Sequence, residues 1–353
     1  MKKIAIFHNL NPGGGLNIIK SIVPILSKRG ILIDIYSHKK LPINGSNKNY
    51  YYPIKTTKNS IQQLIQTFFE LNKVQKQISE KIVNKSYDYI FVFPCNIIQS
   101  PHILKYLPSK KTYYFFLEPK REFYEKSSFD YYTPKRILSR LIRYPIKILD
   151  IINCKSTRNI IADSIYTKNN LKKIYNKKSI VVYPGMKFIK PEKITIKNNN
   201  KFLSLSILTM LKGHHISAQL VPKIEIYGEM SHENIRKYIP KNISINTKID
   251  QKDKNNIYKR FSFFLANQIK EPFGLTTLEA ITNNCYVFGS NESGTSEIIN
   301  SNVNGILLPI NNLELSKKII NFISHKKTIT FQKTCIINWN NTVNQILKII
   351  QNE

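Results

Sequence analysis

Short apolar runs alternate along the chain with segments in which apolar residues recur every three or four positions. Runs such as Ile4 to His8, Tyr89 to Phe93 and Phe261 to Ala266 show no polar alternation. This is typical of parallel strands that are covered on both faces. The segments between the runs have the period of helices. The pattern therefore predicts the α/β class, built from strand-helix-strand units.

The first such unit lies at the start of the chain. Ile4 to His8 predicts a strand, Gly13 to Gly15 a tight turn, Leu16 to Arg29 a helix and Ile31 to Tyr36 the returning strand. Together they predict a right-handed βαβ unit. Further strands of the same sheet are predicted at Tyr89 to Phe93, Tyr113 to Leu117, Asn159 to Ala162 and Ser179 to Tyr183. These elements predict a first Rossmann-like domain.

A polar segment rich in Lys and Asn, Lys187 to Lys201, then interrupts the pattern and predicts a linker. The strands predicted after it are Phe202 to Leu208, Ile224 to Tyr227, Ile243 to Thr247, Phe261 to Ala266, Tyr286 to Phe288 and Ile306 to Leu308. The 353 residues suffice for two hydrophobic cores. We therefore expect domains at 1–186 and 202–335, a linker at 187–201 and a last helical segment at 336–353.

Residues 271–280, with the sequence EPFGLTTLEA, carry the most specific chemistry. Glu271 and Glu279 flank a Pro-Phe-Gly turn that opens an amphipathic helix after the apolar run Phe261 to Ala266. The first amides of a helix attract anions, and here they lie at the carboxyl end of a predicted strand. Two carboxylates around an anion site suit a ligand with phosphates in the middle and hydroxyls at both ends. A nucleotide sugar has this structure.

The decapeptide resembles the signature of the family-4 retaining glycosyltransferases of GT-B fold. Other segments that resemble this family are Asn11 to Gly15, Tyr113 to Tyr124, Tyr183 to Gly185, Met210 to Gly213, Tyr227 to Glu229, Asn291 to Glu297 and Asn304 to Pro309. The resemblance implies two Rossmann-like domains that face each other across a cleft, with a C-terminal helix that crosses back onto the first domain. It also implies a donor that is a UDP- or GDP-linked sugar, and transfer with retention by same-face attack, without a protein nucleophile.

The resemblance assigns roles in the donor site. Lys212 and the amides of Gly274, Leu275 and Thr276 would stabilise the charge that develops on the leaving diphosphate. Glu271 would bind sugar hydroxyls and Glu279 ribose hydroxyls. The catalytic residues are expected to be Glu271 and Lys212, and the further donor-binding residues Gly14, Gly15, Ser206 and Phe273. No metal and no other cofactor is expected.

Each of these residues has a simpler interpretation. Lys212 can be one of the 54 basic residues on the surface. Glu271 can be a charge that complements the helix dipole, and Glu279 can lie on a solvated helix face. Gly13 to Gly15 lack the GxGxxG spacing and can form only a flexible turn. His214 and His215 are expected on the helix surface rather than in catalysis.

Two positions depart from the family pattern. Ser206 stands where the family usually has an arginine, and Leu117 where it often has a histidine. On the acceptor side, Glu118 and Arg121 are the candidate residues. Glu118 either binds an acceptor hydroxyl or pairs with Lys120 or Arg121.

The formal net charge of +32 has two competing explanations. The abundance of Lys, Asn, Ile and Tyr is typical of AT-rich codons. Alternatively, Lys135 to Lys147 forms an interfacial helix. Its basic face, with Arg136, Arg140, Arg143 and Lys147, contacts an anionic membrane at about 1 kcal/mol per residue, and its apolar side, with Ile137, Leu138, Leu141 and Ile142, also inserts. Pro145 is expected to kink or end this helix.

The cysteines Cys95, Cys154, Cys285 and Cys335 are widely spaced and suggest neither zinc nor a disulfide framework. The apolar start of the chain is interrupted at His8, too early for a signal peptide, and no run reaches eighteen apolar residues. We therefore expect a cytoplasmic protein, peripheral at the inner face of the membrane.

The expected function is metal-independent transfer of a sugar to a glycan or lipid-linked acceptor, in envelope polysaccharide or glycolipid synthesis. One alternative is a glycosyltransferase-like protein without turnover, because Ser206 and Leu117 depart from the pattern. A second alternative is a basic protein that binds nucleic acid. It is less favoured because the sequence has no helix-turn-helix, zinc-finger or RNP-like segment and its basic residues are spread throughout.

Overall fold

The computed structural model describes residues 1–55, 57, 59–124, 134–186, 192–231, 234–250, 253–301, 303–333 and 337–351, without the side chains of Lys135, Arg136 and Lys333. Over these residues the chain forms two compact units. Unit 1 holds the described residues up to Gly185 and those from Trp339 onward, and unit 2 those from Met186 to Asn338.

Unit 1 is built on a seven-stranded parallel sheet. Its strands are β1 (Lys3–Asn9), β2 (Leu32–Ser37), β3 (Lys48–Tyr51), β4 (Tyr89–Cys95), β5 (Thr112–Phe116), β6 (Asn159–Ala162) and β7 (Ile180–Val181). Their order is β3-β2-β1-β4-β5-β6-β7, and Ile4 of β1 lies opposite Ile33 of β2 and Tyr89 of β4. The direction in which strands are added reverses between β1 and β4, so this sheet has a crevice at the carboxyl ends of these two strands.

Helices cover both faces of this sheet. They are α1 (Gly14–Lys28), α2 (Ser60–Ile65), α3 (Asn72–Asn84), α4 (Arg121–Tyr124), α5 (Pro134–Ser156), α6 (Ile165–Tyr175) and α11 (Trp339–Gln351), with a π-helical turn at Gln66–Leu71. Successive side chains of β1 alternate between the two cores: Ile4 and Ile6 face α1, whereas Ala5 and Phe7 pack in the core that includes Ile78 of α3.

The C-terminal helix α11 completes the core of unit 1. Its residues Val343, Ile346 and Ile350 are buried in the same cluster as Ile19 and Val23 of α1. The predicted return of the last helix to the first domain is therefore confirmed.

Helix α5 continues through Pro145, where the sequence predicted a kink or an end. Pro145 is exposed, and its missing amide removes a single helical hydrogen bond. Beyond it, Ile146 and Leu149 are buried with Leu71 and Ile98 in one hydrophobic cluster. This burial stabilises the helix after the proline, because tertiary packing contributes most of the stability of a protein helix.

Unit 2 contains a six-stranded parallel sheet with the order β11-β10-β9-β12-β13-β14, and a small antiparallel sheet of β8 and β15. The strands are β8 (Glu192–Lys197), β9 (Phe202–Leu205), β10 (Ile224–Tyr227), β11 (Ile245–Asn246), β12 (Phe263–Ala266), β13 (Tyr286–Ser290), β14 (Gly305–Leu308) and β15 (Thr328–Lys333). The helices are α7 (His214–Leu220), α8 (Lys254–Tyr258), α9 (Leu275–Thr282) and α10 (Leu313–Ser324). The order of strands reverses between β9 and β12, which places a second crevice at their carboxyl ends.

The segment 187–201, predicted as a linker, contains strand β8 of unit 2. Ile194 and Ile196 of this strand pack against the core of the unit, while its other residues are lysine, threonine and glutamate. Only Ile194 and Ile196 alternate with polar residues, and this pattern is too short to predict a strand within a segment rich in Lys and Asn. Residues 187–191 of the predicted linker lie outside the described part of the chain.

No described helix has both the length and the apolar character that crossing a membrane requires. The three described cysteines, Cys95, Cys154 and Cys285, are buried and free; Cys335 lies outside the described residues.

Candidate active site

The candidate site of unit 2 lies where the chain leaves β9 and β12. After β9 it forms a single 3-10 turn, Met210–Lys212, that ends at Gly213. Gly213 has a φ of +68°, and a Cβ atom at this residue would lie 1.8 Å from the carbonyl oxygen of Asn267, which follows β12. Only glycine permits this approach. The glycine therefore brings the two strand ends into contact and fixes the position of Lys212.

Lys212 and Glu271 form an ion pair at this point. The Nζ atom of Lys212 donates a hydrogen bond to Oε2 of Glu271 at 2.7 Å, and the side chains are 24% and 13% exposed. The structure therefore brings together the two residues that were predicted to be catalytic. Both side chains are more buried than the simpler interpretations suggest, in which Lys212 is a surface lysine and Glu271 only complements the helix dipole.

Helix α9 begins beside this ion pair. Gly274 precedes it with a φ of +101°, and a Cβ atom here would lie 3.0 Å from Oγ1 of Thr295 and 3.2 Å from Oγ1 of Thr277. The first amides of α9, on Leu275 and Thr276, have no partner within the helix, as at every helix start. Helix geometry and dipole together make this end of α9 suitable for an anion.

The loop that follows β13 supports the turn before α9. The amide of Gly294 donates to the carbonyl oxygen of Glu271 at 2.7 Å. A Cβ atom on Gly294 would lie 1.8 Å from the carbonyl oxygen of Pro272. This glycine is therefore required for the close contact between the two loops. Phe273, predicted to bind the donor, is buried in the supported turn.

Several buried polar atoms around the start of α9 have no hydrogen-bond partner among the described residues. They are Oε1 of Gln268, Oγ1 of Thr277, Oγ of Ser293 and Oγ1 of Thr295. Nε2 of Gln268 donates to the hydroxyl of Thr276 at 3.2 Å. Buried polar groups in proteins usually have partners. A polar ligand or water next to Gly274 would supply them.

Glu279 lies in the second turn of α9, where two residues of α8 hold its carboxylate. Nζ of Lys254 lies 2.5 Å from Oε2, and the hydroxyl of Tyr258 donates to the same oxygen at 3.0 Å. Burial and the neighbouring carboxylate raise the pKa of Tyr258, so that its hydroxyl stays protonated. Lys254 and Tyr258 were not predicted as site residues, because no sequence motif contains them.

Ser206 does not provide the charge of the arginine that it replaces. Its hydroxyl lies 3.0 Å from Nε2 of His214, whose Nδ1 lies 2.9 Å from the hydroxyl of Ser204. Burial lowers the pKa of His214 to about 4, so this imidazole is neutral at pH 7. His214 and His215 are both buried, and the expectation that they lie on the helix surface is corrected. Most residues of the short helix α7 are buried, so neither histidine lies on a solvated face.

In unit 1, only Gly13 of the three glycines after β1 lies in a turn, and Gly14 and Gly15 are already helical. Helix α1 already begins at Gly14, and the left-handed residue before it is Gly13. A Cβ atom on Gly15 would lie 2.9 Å from Cδ1 of Leu117, at the end of β5. Gly15 thus allows close packing of Leu117 over the start of α1.

The acceptor-side candidates form an ion pair with each other. Nε of Arg121 lies 3.8 Å from Oε2 of Glu118, whereas Lys120 donates to the carbonyl oxygen of Asn96 at 2.9 Å and lies 3.9 Å from Glu122. Of the two interpretations left open for Glu118, the structure thus contains the pairing with Arg121. This carboxylate is 38% exposed and remains accessible to solvent.

Arg143, on the basic face of α5, is turned toward the protein, which corrects its predicted membrane contact. Arg143 pairs with Glu122 at 2.8 Å, donates to Gln63 at 3.3 Å and is 17% exposed. Nζ of Lys147 lies over the rings of Tyr124 and Tyr144, 5.0 and 5.4 Å from their centres. Arg140 is half-buried, and the side chain of Arg136 lies outside the described residues.

Among the residues that the structure describes, no group of three or more His, Cys, Asp or Glu side chains is placed to hold a metal ion.

The second unit matches a known family. Residues 186–338 match the model of the family described as "Glycosyl transferases group 1", and this range coincides with unit 2. A segment of 102 residues, 27% of the chain, is 36% identical to a sucrose synthase of Melioribacter roseus. The match spans 13% of the length of that relative.

Solved structures resemble the whole chain. Sucrose-phosphate synthase from Thermosynechococcus elongatus has a TM-score of 0.68 at 12% identity, with 100% of this chain and 99% of that chain covered. HepE from Anabaena, in complex with UDP and glucose, has a TM-score of 0.65 at 13% identity, with both chains fully covered. These similarities establish the fold, and the predicted GT-B class is confirmed.

Proposed function

We propose that the protein transfers a sugar from a nucleotide-sugar donor, with retention of configuration, to a glycan or lipid-linked acceptor. Residues 186–338 match the group 1 glycosyltransferases, and the chain has the GT-B fold. The donor would bind to unit 2. The observation that supports this most directly is the ion pair of Lys212 and Glu271 beside the start of α9.

The proposed chemistry follows from the charges at this point. When the bond from the anomeric carbon to the phosphate oxygen breaks, negative charge develops on the diphosphate and positive charge on the sugar ring. Lys212 and the amides of Gly274, Leu275 and Thr276 would stabilise the diphosphate, since preorganised donors lower the free energy of the charged transition state. Glu271 would bind hydroxyls of the sugar. Attack on the same face, with the leaving phosphate accepting the proton of the acceptor, needs no protein nucleophile.

The ribose would bind at Glu279. Lys254 and Tyr258 hold one oxygen of this carboxylate, and its exposed side can accept hydrogen bonds from two ribose hydroxyls. The similarity to HepE, which was crystallised with UDP and glucose, supports a uridine nucleotide as the first donor to test.

We further propose that transfer needs no metal ion, because Lys212 and backbone amides provide the positive charge that phosphates require. The acceptor would belong to envelope polysaccharide or glycolipid synthesis, at the inner face of the membrane. The excess of basic residues, with a net charge of +32, supports the proposal that the protein acts at an anionic surface.

The test is donor hydrolysis and transfer with purified protein, using UDP-glucose first and GDP-mannose second. We expect Lys212→Ala and Glu271→Ala each to lose more than tenfold in turnover, because one preorganised group contributes about 2.7 to 4 kcal/mol. Lys326→Ala, which removes an exposed lysine of unit 2, is the control and should retain the wild-type rate. Activity should survive EDTA. Loss in EDTA that manganese restores would contradict the metal-free proposal.

The alternative without turnover rests on Ser206, which leaves the site with one cation fewer than its family pattern. In that case the wild-type protein would bind UDP in calorimetry, and Lys212→Ala would weaken the binding, but neither would hydrolyse or transfer any donor. Binding without turnover over a panel of donors would favour this alternative.

A further inference from the structure

Helix α5 exposes an apolar stripe along its length. The stripe consists of Ile137, Leu138, Leu141, Tyr144, Ile148 and Ile152, which are between 41% and 65% exposed. From Ile137 the steps to Leu141, Tyr144, Ile148 and Ile152 are four, three, four and four residues, so these side chains lie on one face of the helix. The stripe extends over about 22 Å at the helical rise of 1.5 Å per residue.

The opposite face of α5 already has its partners within unit 1. Ile146 and Leu149 pack in the core with Leu71, and Asp150 accepts hydrogen bonds from Tyr175 and from the amide of Ser100, both at 2.6 Å. The helix is therefore fixed on the protein by one face and presents the other. A contiguous apolar surface of this kind is uncommon on a monomeric soluble protein and marks an interaction site.

The charges around the stripe indicate what kind of surface binds to it. Asp150 is the only acidic residue of α5, and it is fully buried. Lys155 is exposed, and Arg140 and Lys147 are half-buried beside the stripe. The stripe therefore has cations at its margins and no exposed carboxylate on its own helix. Such a combination complements a surface that is apolar inside and anionic outside.

A second copy of the chain fits this surface less well. Pairing two such stripes would bring the basic margins together, in a protein that already carries a net charge of +32. Like charges repel, and a large net charge keeps proteins monomeric. Tyr144 is also suited to contact with lipid, because tyrosine is enriched where the hydrocarbon of a membrane meets the polar headgroups.

We propose that the apolar stripe of α5 inserts into the headgroup region of an anionic lipid bilayer, with the helix in the plane of the membrane. The apolar side chains provide the insertion, and Lys155, Lys147 and Arg140 contact lipid headgroups at its margins. The inserting apolar side of the predicted interfacial helix is kept, whereas Arg143 is not among the residues that contact lipid, because it pairs with Glu122. The insertion does not depend on the proposed transferase activity.

The test is co-sedimentation with vesicles of equal parts phosphatidylglycerol and phosphatidylcholine, and with vesicles of phosphatidylcholine alone. We expect the full chain to bind the first and to bind the second more weakly. The double variant Leu141→Asn, Ile148→Asn leaves the charge unchanged and should lower the partition coefficient at least tenfold, since it removes two apolar side chains from the surface that inserts. The matched control is Phe322→Asn, which removes a 71% exposed apolar side chain from α10 of unit 2 and should bind like wild type.

A second measurement reports insertion itself. Trp339 is the single tryptophan of the chain, so Tyr144→Trp in a Trp339→Phe background places one indole in the stripe. Its emission should shift to the blue on anionic vesicles and be quenched by brominated lipids. Thermal unfolding of every variant must match wild type.

Three outcomes would overturn the proposal. The first is that wild type does not bind anionic vesicles. The second is that the double variant of Leu141 and Ile148 binds them as wild type does. The third is that sedimentation velocity shows a concentration-dependent dimer which this double variant abolishes, because the stripe would then bind a second copy of the chain.

Discussion

In unit 2, the crevice between β9 and β12 is lined by the ion pair of Lys212 and Glu271 and by the open amides at the start of α9. In unit 1, the carboxyl ends of β1 and β2 instead carry His8 and His38. Both imidazoles are buried, and burial lowers the pKa of each to about 4. The two sheets thus have the same kind of strand order but different electrostatics at their strand ends.

Two sheets with the same kind of strand order can therefore suit different ligands. Phosphates need fixed positive charge and free amides, which unit 2 offers. The neutral imidazoles offer hydrogen bonds without a charge of their own, with Lys39 nearby, and Nε2 of His8 is a buried atom without a hydrogen-bond partner among the described residues. These strand ends suit the hydroxyls of a sugar acceptor. The acceptor-side candidates Glu118 and Arg121 also lie in unit 1, whereas the donor is proposed to bind to unit 2.

The largest effect should come from Gly213→Ala, which forces the strand ends of unit 2 apart. The added Cβ would lie 1.8 Å from the carbonyl oxygen of Asn267 in a left-handed backbone, so we expect a loss of about 3 kcal/mol or more in the free energy of unfolding. Gly30→Ala is the matched control, with a φ of +79° and no atom within 4 Å, and should cost about 1 kcal/mol. Urea unfolding measures both. Equal losses would show that backbone strain alone, and not the contact with Asn267, decides the effect.

Next, Glu271→Gln should reduce donor hydrolysis about tenfold or more, because a hydrogen bond to a charged group contributes about 1.5 to 3 kcal/mol. Glu118→Gln in unit 1 removes the same charge and should leave donor hydrolysis within twofold of wild type. The initial rates of UDP release measure this pair. A comparable loss in both variants would contradict the assignment of the donor to unit 2.

The third effect concerns pH. The pKa values of His8 and His38 are about 4 in the folded protein and about 6.5 in the unfolded chain, so the unfolded state binds more protons between these values. Their contribution to stability is complete above pH 6.5 and is lost as the pH falls toward 4. His38→Gln should therefore reduce the pH dependence of unfolding by about 1 kcal/mol per pH unit near pH 5. Urea midpoints from pH 4.5 to 7 measure it, and an unchanged slope would mean that His38 is not buried in its neutral form.

The smallest effect should follow from Tyr258→Phe. It removes the hydroxyl that donates to Glu279 but leaves Lys254 in place, so we expect the donor KM to rise about threefold with kcat nearly constant. Tyr227→Phe, which removes a hydroxyl that donates to the carboxylate of Glu225, is the control. If both variants have the same KM as wild type, Tyr258 does not position Glu279 for the ribose.

The central strands of both sheets were predictable because each is an uninterrupted apolar run between turn residues. Strands β6 and β10, for example, have the predicted bounds. The missed strands β3, β8 and β15 are edge strands rich in Lys, Asn, Thr or Tyr, and none has more than two apolar side chains in alternation. Lysine on an edge strand limits pairing with other chains, so the composition that hides such strands also protects them.

The candidate site was predictable only where the chain itself carries the geometry. Glu271, Gly274 and Glu279 belong to one segment, and Lys212 has a short motif of its own. Lys254 and Tyr258 contact Glu279 because α8 packs beside α9, a relation that no local pattern encodes. The ion pair of Arg143 was not predictable for a similar reason, because Glu122 lies on α4 and meets Arg143 only where α4 and α5 come together.

The C-terminal helix α11 determines which of the two units can complete its folding first. Residues 186–338 form one continuous stretch, so a ribosome that has released Asn338 has delivered all of unit 2. Unit 1 begins first but still lacks Val343, Ile346 and Ile350, the side chains that fill its core against α1. We expect the first unit to be finished last, and nascent chains stalled before α11 to expose the hydrophobic side of α1 to chaperones and proteases.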